Sequence, residues 1–203
     1  MIKNIIFDMG NVLIYFKPEL FLDKAGVTDS EERRILMRNV YQSVEWAQLD
    51  RGVIDEPEAA VLIKRNVPES LQSKVDSLVT DWNRPLIPVP GMADLVRELK
   101  ESGYGIYLLS NASRRQHDYW PDIPGYEYFD GEMVSAFELV IKPEPEIYDR
   151  FLKKFSLSGD ECVFIDDSCV NAEAAMHSGI TSIVFHDDIN ELREKLTQLG
   201  VLS

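Results

Sequence analysis

Three short apolar runs in this 203-residue chain end in polar residues with reactive chemistry. "IIF" ends in Asp8, "IYLL" in Ser110 and Asn111, and "VFI" in Asp166 and Asp167. A lysine, Lys142, precedes Pro143 at the start of a helix-like stretch and can reach the same region. Three carboxylates brought to one small crevice cannot all stay ionised without a compensating positive charge. A hard divalent cation is the simplest source, and Mg2+ favours a few carboxylates together with water and substrate phosphate. An ammonium with a hydroxyl–amide pair balances the phosphoryl oxygens that such a metal does not hold. An aspartate there can also attack phosphorus and form an aspartyl-phosphate that is later hydrolysed. The chemistry indicated is metal-assisted phosphoryl transfer. Taken singly, each piece has an ordinary explanation as a turn or helix-capping residue. Their shared place at the ends of apolar runs is what carries the functional reading.

Those runs need a scaffold that lines their ends up. From residue 92 onward, helix and strand patterns alternate: "MADLVRELKESG" helix, "YGIYLLSN" strand, "PEIYDRFLKKF" helix, "ECVFIDD" strand, "VNAEAAMHSG" helix, "ITSIVFHDD" strand, "INELREKLTQLG" helix with Asp188 as its cap. Between the first strand and helix pair and the second lies a less regular stretch, residues 113–143. Short apolar strands separated by helices predict an α/β fold, a parallel sheet with helices on both faces, and ligands bind such sheets outside the carboxyl ends of the strands. Residues 16–84 read instead as a helical insert. "TDSEERRILMRNVYQSVEWAQL" opens with Thr28 and Glu31 at capping-box spacing. "DRGVIDEPEAAVLIKRN" turns at Gly52 and restarts at Asp55, and "PESLQSKVDSLVTDWN" carries the apolar stripe Leu71, Val75, Leu78 and Val79. Pro85, Pro88, Pro90 and Gly91 break the pattern as a linker. The expected organisation is therefore a core of residues 1–15 and 85–203 with an insert of residues 16–84.

Composition narrows the partners. Hydrophobic residues make up 45% and charged residues 28% of the chain, as in ordinary globular protein. A formal charge of −14 repels nucleic acid and anionic membranes, and an anionic small substrate then needs a local positive centre. Cys162 and Cys169 have neither zinc-site nor disulfide-framework spacing and read as reduced thiols. With no secretory segment and no apolar run approaching a membrane span, the expected location is cytoplasmic, as a monomer or homodimer.

The ordered set Asp8, Ser110–Asn111, Lys142–Pro143 and Asp166–Asp167 resembles the haloacid dehalogenase superfamily, in its branch with a helical cap after the first strand. "FDMGNVLI", "SNASRRQHDYWP" and "FIDDSCVNAEAA" are similar to the bacterial group that includes an α-glucose-1-phosphate phosphatase. The resemblance covers essentially the whole chain and implies a Rossmann-like core with residues 16–84 as a helical C1-type cap over the catalytic edge. It implies Asp8 as nucleophile, with Asp8, Asp166, Asp167 and the backbone carbonyl of Gly10 holding Mg2+. It gives Ser110 and Lys142 the transferring phosphoryl group, Lys142 also restraining Asp8, and puts Asn171 where many members carry an acid supporting the metal shell. The activity implied is a Mg2+-dependent phosphatase acting on a small phosphorylated metabolite such as glucose 1-phosphate. Phosphatases of this kind usually carry a second aspartate two residues after the nucleophile, which protonates the leaving oxygen and then activates water. Here that residue is Gly10, which does neither. General acid–base help is worth ~10²–10⁴-fold, so a good leaving group, such as a sugar's anomeric oxygen, or another residue or water must compensate. A tight turn that brings backbone close to a metal is the alternative reason for glycine. The rival activities are a dehalogenase, a phosphomutase, and a non-catalytic binder of phosphorylated ligands.

The turn "QLDRGVI" is the part of the insert expected to reach the active site, where Asp50 and Arg51 can bond sugar hydroxyls or Asp50 can replace the missing acid. Arg114 is a further candidate substrate contact, whereas Arg115 reads as a surface charge. Trp120 can stack on a sugar ring but fits a core role better.

Overall fold

Buried apolar runs form the centre of the molecule. The computed structural model describes residues 1–203. Its five strands are β1 (Asn4–Phe7), β2 (Gly105–Ser110), β3 (Gly131–Val134), β4 (Cys162–Asp166) and β5 (Thr181–Val184), in the order β3-β2-β1-β4-β5. Every pairing is parallel. Parallel strands buried on both faces read as continuous apolar runs, as "NIIF" and "CVFID" do. Alternate residues divide the core: Ile5, Phe7, Val163 and Ile165 pack with Met92, Leu95, Leu99, Leu192 and Leu196, while Ile6, Phe164 and Leu109 pack with Ile147, Tyr148 and Phe151. The first set buries α6 (Met92–Glu101) and α11 (Ile189–Gln198), and the second buries α9 (Pro145–Phe155) on the opposite face.

Register then decides where the polar endings lie. Phe7 pairs with Leu108 of β2 and with Ile165 of β4. Asp8, Leu109–Ser110 and Asp166 therefore leave three adjacent central strands at one edge. Helix α10 (Cys169–His177) starts there, capped by Ser168, whose side chain accepts from Asn171 N. Lys142 arrives at that edge from the loop between α8 (Ser135–Glu138) and α9, not from a helix start: α9 begins at Pro145.

Between β1 and α6 the chain forms α1 (Pro18–Lys24), α2 (Ser30–Leu36), α3 (Val44–Arg51), α4 (Glu56–Lys64) and α5 (Glu69–Thr80). These have a core of their own, running from Phe21 to Val79, and the sequence-predicted stripe of α5 is buried in it. The two strands of chain that enter and leave this unit pair with each other. Tyr15 N donates to Ile87 O at 2.8 Å and Val89 N to Leu13 O at 2.9 Å. The turn at Gly52 and the restart at Asp55 occur as expected: Gly52 ends α3 with φ 74°, and Asp55 accepts from Glu58 N.

The long helix expected from Thr28 is instead broken. Asp29, not Thr28, caps α2, accepting from Glu31 N and Glu32 N. The helix widens into a π-segment over Met37–Tyr41, and Ser43 then caps α3 through Trp46 N at 3.1 Å. An internal serine able to take a backbone N–H offers the chain a new helix start, which the apolar spacing alone does not reveal. Within residues 113–143, β3 and two short helical turns, α7 (Gln116–Tyr119) and α8, complete the sheet edge.

Candidate active site

A buried lysine organises the carboxyl edge of the sheet. Lys142, only 3% exposed, places Nζ 2.8 Å from Asp8 Oδ1 and 2.7 Å from Asp166 Oδ2, and donates to Leu109 O at 3.0 Å. All three of its donor positions are thus used. Asn111 fixes the loop that carries it: Lys142 N donates to Asn111 Oδ1 at 2.8 Å, and Asn111 Nδ2 returns a bond to Lys142 O at 2.9 Å. The amide expected to meet substrate is therefore occupied in positioning the lysine. Asp166 is wholly buried and accepts from Ser168 N at 2.8 Å and from Asn171 Nδ2 at 3.1 and 3.2 Å as well as from Lys142. Asn171 thus supports Asp166 through a neutral amide. Asp167 accepts from Asn11 Nδ2 at 2.9 Å.

Asn11 is a residue of the site whose role is not evident from sequence. It sits at φ 54°, a left-handed conformation that asparagine tolerates, and its Oδ1 also accepts from Phe16 N at 3.0 Å. The dipeptide Gly10–Asn11 was the available signal. Gly10 itself does not have a positive φ, and a Cβ there would meet only Phe16 Cβ, at 3.8 Å. Neither the backbone conformation nor close packing therefore demands glycine at this position.

The electrostatics are unbalanced by design of the donor set. Oxygens of Asp8, Asp166 and Asp167 lie within 4.8 Å of one another. Burial pushes the Asp8 carboxyl up to about 7; Lys142 opposes this, and Asp166 and Asp167 add to it. Asp167 is also raised, mainly by burial, against the bond from Asn11. Burial alone would lower the Lys142 ammonium, but Asp166 and Asp8 outweigh it and hold it above its ordinary value. One ammonium facing three carboxylates leaves two negative charges uncompensated. An all-oxygen set at this spacing fits a hard divalent cation, which spans ~4 Å between opposite oxygens. The Ser110 hydroxyl, buried at the same edge, has no hydrogen-bond partner.

Above these groups lies a cavity of about 190 Å3, floored by Asp8, Gly10, Asn111 and Asp167. Asp50, from the end of α3, lines it, as expected for the "QLDRGVI" turn. Burial first, and then the charge of Asp8, push the Asp50 carboxyl up to about 7 against the pull of Lys142. Its backbone is fixed by Ser135, whose Oγ donates to Asp50 O and receives Ala112 N at 3.0 Å. Two other expectations are corrected. Arg51 turns away from the cavity and clamps α3 to the sheet domain through Glu144, with Nη1–Oε2 at 3.1 Å, because this carboxylate offers it a bidentate partner. Arg114 is exposed and lines an adjoining groove with Gly52, Asp55 and Glu58, which meets the cavity at Glu56 and Ser113, rather than the cavity itself. Arg115, read as a surface charge, reaches the insert by donating to Thr80 O. Trp120 packs on Phe129, with ring centroids 5.1 Å apart, outside the cavity.

The cavity also contains groups that sequence did not flag. Glu56 at the start of α4 is buried and accepts from Ser113 Oγ at 2.5 Å. Trp46 and Trp82 were indistinguishable in sequence from core aromatics.

Comparison with known proteins gives these features a context. Residues 2–179 match the haloacid dehalogenase-like hydrolase family. Sesquiterpene phosphatase astK of Aspergillus oryzae is 27% identical over 205 residues, spanning 98% of this chain and 97% of that protein. A HAD family enzyme of Bacteroides thetaiotaomicron, solved in complex with magnesium and inorganic phosphate, is 26% identical with a TM-score of 0.72, over 95% of this chain and 99% of that one. L-2-haloacid dehalogenase of Xanthobacter autotrophicus, at 15% identity and a TM-score of 0.66 over 100% of this chain and 85% of that one, shares the fold. With most of its length matched to the family and its sheet, strand order and carboxylate edge accounted for, this chain belongs to the haloacid dehalogenase-like hydrolases.

Proposed function

We propose that the chain is a Mg2+-dependent phosphatase of small phosphomonoesters that works through an aspartyl-phosphate on Asp8. The observation that carries this reading is the lysine-bridged carboxylate set, with Lys142 Nζ at 2.8 Å from Asp8 and 2.7 Å from Asp166, and Asp167 completing an oxygen cluster. A phosphatase among the relatives, and a similar enzyme solved with magnesium and phosphate, support it. Asp8, Asp166, Asp167 and the Gly10 carbonyl would hold the ion. When bound, Mg2+ neutralises the excess carboxylate charge and the charge developing on the phosphoryl oxygens.

In this scheme Lys142 pins one oxygen of Asp8 and the carboxylate attacks phosphorus. An Asp8 oxygen–phosphorus bond forms, and the bond to the leaving oxygen breaks with its electron pair. Asp50, the raised carboxyl facing the cavity from the insert, supplies the proton to that oxygen in place of the residue missing at Gly10. Water then attacks the phosphoryl group, giving its proton to Asp50, and releases phosphate and free Asp8. The unpartnered Ser110 hydroxyl bonds a phosphoryl oxygen. The insert of residues 16–84 acts as a cap that carries Asp50 to the core.

Glucose 1-phosphate is the substrate that the sequence resemblance points to, and the walls of the cavity bear on which alcohol the site accepts. A dehalogenase on this scaffold has no use for the Asp166–Asp167 pair, and a phosphomutase would return isomerised product instead of free phosphate. The test is phosphate release from a substrate panel with Mg2+ and with chelator, alongside Asp8→Asn. Release that requires both metal and Asp8 is the expected result. Equal release with chelator, or isomerised product, overturns the reading.

A further inference from the structure

The organic part of the substrate must fit the rest of the cavity, and its walls are largely aromatic and aliphatic. Phe16, Trp46, Leu49, Val79, Trp82 and Tyr119 stand around the floor that holds Asp8. The rings form a continuous chain, with centroids 5.5 Å apart for Phe16–Trp46, 5.1 Å for Phe16–Trp82 and 5.6 Å for Trp82–Tyr119. Aromatic chains at a junction between two cores are usually packing alone. Here Phe16, Trp46 and Trp82 are only half-buried, whereas core rings such as Phe7 and Phe164 are fully enclosed. Phe16 and Trp46 line the same space as the carboxylates, and Trp82 lines both it and a neighbouring groove beside Phe21 and Lys24.

Of the polar groups lining this space, the amides and Ser113 are already engaged, which leaves Asp50, the second Glu56 oxygen and the single N–H or O–H groups at the edges of Trp46, Trp82 and Tyr119. Asn111 is used up on Lys142, Asn11 on Asp167 and Phe16 N, and Ser113 donates to Glu56. No lysine, arginine or histidine lines the cavity, while Asp50 and Glu56 do. A carboxylate or second phosphate on the substrate would meet two acids and no cationic side chain in that lining. A hexose would bring several hydroxyls against apolar walls, and each one buried without a partner costs binding.

Resting on the phosphatase reading above, we infer that the cavity selects phosphomonoesters whose organic part is a compact, uncharged, apolar group of aryl or prenyl type, in preference to a sugar. The volume of about 190 Å3, below the usual range for ligand pockets of ~300–1,000 Å3, favours a compact group. The relative named a sesquiterpene phosphatase is consistent with an apolar alcohol on this scaffold.

The experiment has two arms. In the first, phosphate release with Mg2+ is compared for phenyl phosphate, dimethylallyl phosphate, glucose 1-phosphate, glycerol phosphate and phosphocholine. The expected kcat/KM for the better apolar substrate exceeds that for glucose 1-phosphate ~10-fold or more, and the phenyl and dimethylallyl members separate aryl from prenyl preference. Trp46→Ala raises KM for the preferred substrate ~10-fold with a smaller change in kcat, and Trp46→Phe restores most of it. In the second arm, calorimetry measures phenylphosphonate against inorganic phosphate on the Mg2+-loaded protein, expecting tighter binding of the phosphonate with a negative heat-capacity change. Equal or better turnover of glucose 1-phosphate or glycerol phosphate overturns the inference. So does a preference for phosphocholine, which would make the rings a cation cage. If nothing is hydrolysed yet phenylphosphonate still binds more tightly than phosphate, the pocket assignment stands and the phosphatase reading fails. If it binds no more tightly and nothing is hydrolysed, both fail.

Discussion

Lys142 and Gly10 define the site at the residue scale, one by what it does and the other by what it lacks. Lys142 is the cation that makes buried Asp8 and Asp166 tolerable beside each other. Lys142→Met leaves those charges unpaired, and the expected cost is ~3–5 kcal/mol in denaturant titrations with chelator present. Added Mg2+ should recover part of that loss, because it supplies the missing positive charge. Gly10 has room for a side chain, with only Phe16 Cβ at 3.8 Å from a built Cβ. Gly10→Asp is therefore expected to fold normally and to raise kcat on poor leaving groups such as alkyl phosphates by up to ~10²-fold. Aryl phosphates should change much less, since a phenol-type oxygen with a pKa near 10 departs with little help. Steady-state kinetics on matched alkyl and aryl phosphates checks this; a uniform effect would show that the position does not serve the leaving group.

At the scale of elements, the decisive contact is between α3 of the insert and α8 of the sheet domain. Gly52 closes α3 at φ 74°, and a Cβ there would come within 2.0 Å of Ala136 O. Only glycine satisfies both the left-handed conformation and the close approach. The Ser135–Asp50 O bond and the Arg51–Glu144 pair flank this contact. Gly52→Ala should cost ~1–3 kcal/mol in stability and, by lifting α3, withdraw Asp50 from the cavity. Its kcat should then fall toward that of Asp50→Asn, with little further loss when the two are combined. Arg51→Ala, which breaks only a partly exposed ion pair, should cost ~1 kcal/mol or less. Thermal melts and kinetics on the single and double variants separate these outcomes.

For the whole molecule, the site makes stability depend on metal and on pH. A ligand that binds only the folded state stabilises it by ~2.7 kcal/mol at a hundred times its Kd, so Mg2+ should raise the Tm and chelator should lower it. Without metal, the Asp50 carboxyl is pushed up to about 7, mainly by burial. The folded protein then binds this proton more tightly than the unfolded chain, whose aspartates titrate near the ordinary value. The stabilisation is complete below that ordinary value and is lost as pH rises through about 7. Melts in chelator should therefore show stability falling from pH 4 toward pH 8 on account of this group, and Asp50→Asn should flatten part of the slope. Asp8, also pushed up to about 7, contributes in the same direction and keeps the flattening incomplete.

Asp8, Ser110, Asp166 and Asp167 were legible in sequence because each closes an apolar strand, whereas Lys142 comes from a loop before α9 and not from the helix start that its proline suggested. Strands buried on both faces must be continuous apolar runs, so the polar residue that ends one stands out. The alternating core, the turn at Gly52 and the caps at Asp55 and Asp188 were legible for the same local reason. What a side chain meets across the fold was not. Arg51 and Asp50 are neighbours on one helix end, yet one pairs with Glu144 outside the cavity while the other lines it. Arg114 and Arg115 likewise part ways, and Trp46 and Trp82 form a cavity wall only because the insert folds back over the sheet. Sequence determined which groups sit at the ends of the strands, since that follows from backbone periodicity and burial. Tertiary structure alone decided what lines the cavity above them, since that depends on contacts between segments far apart along the chain.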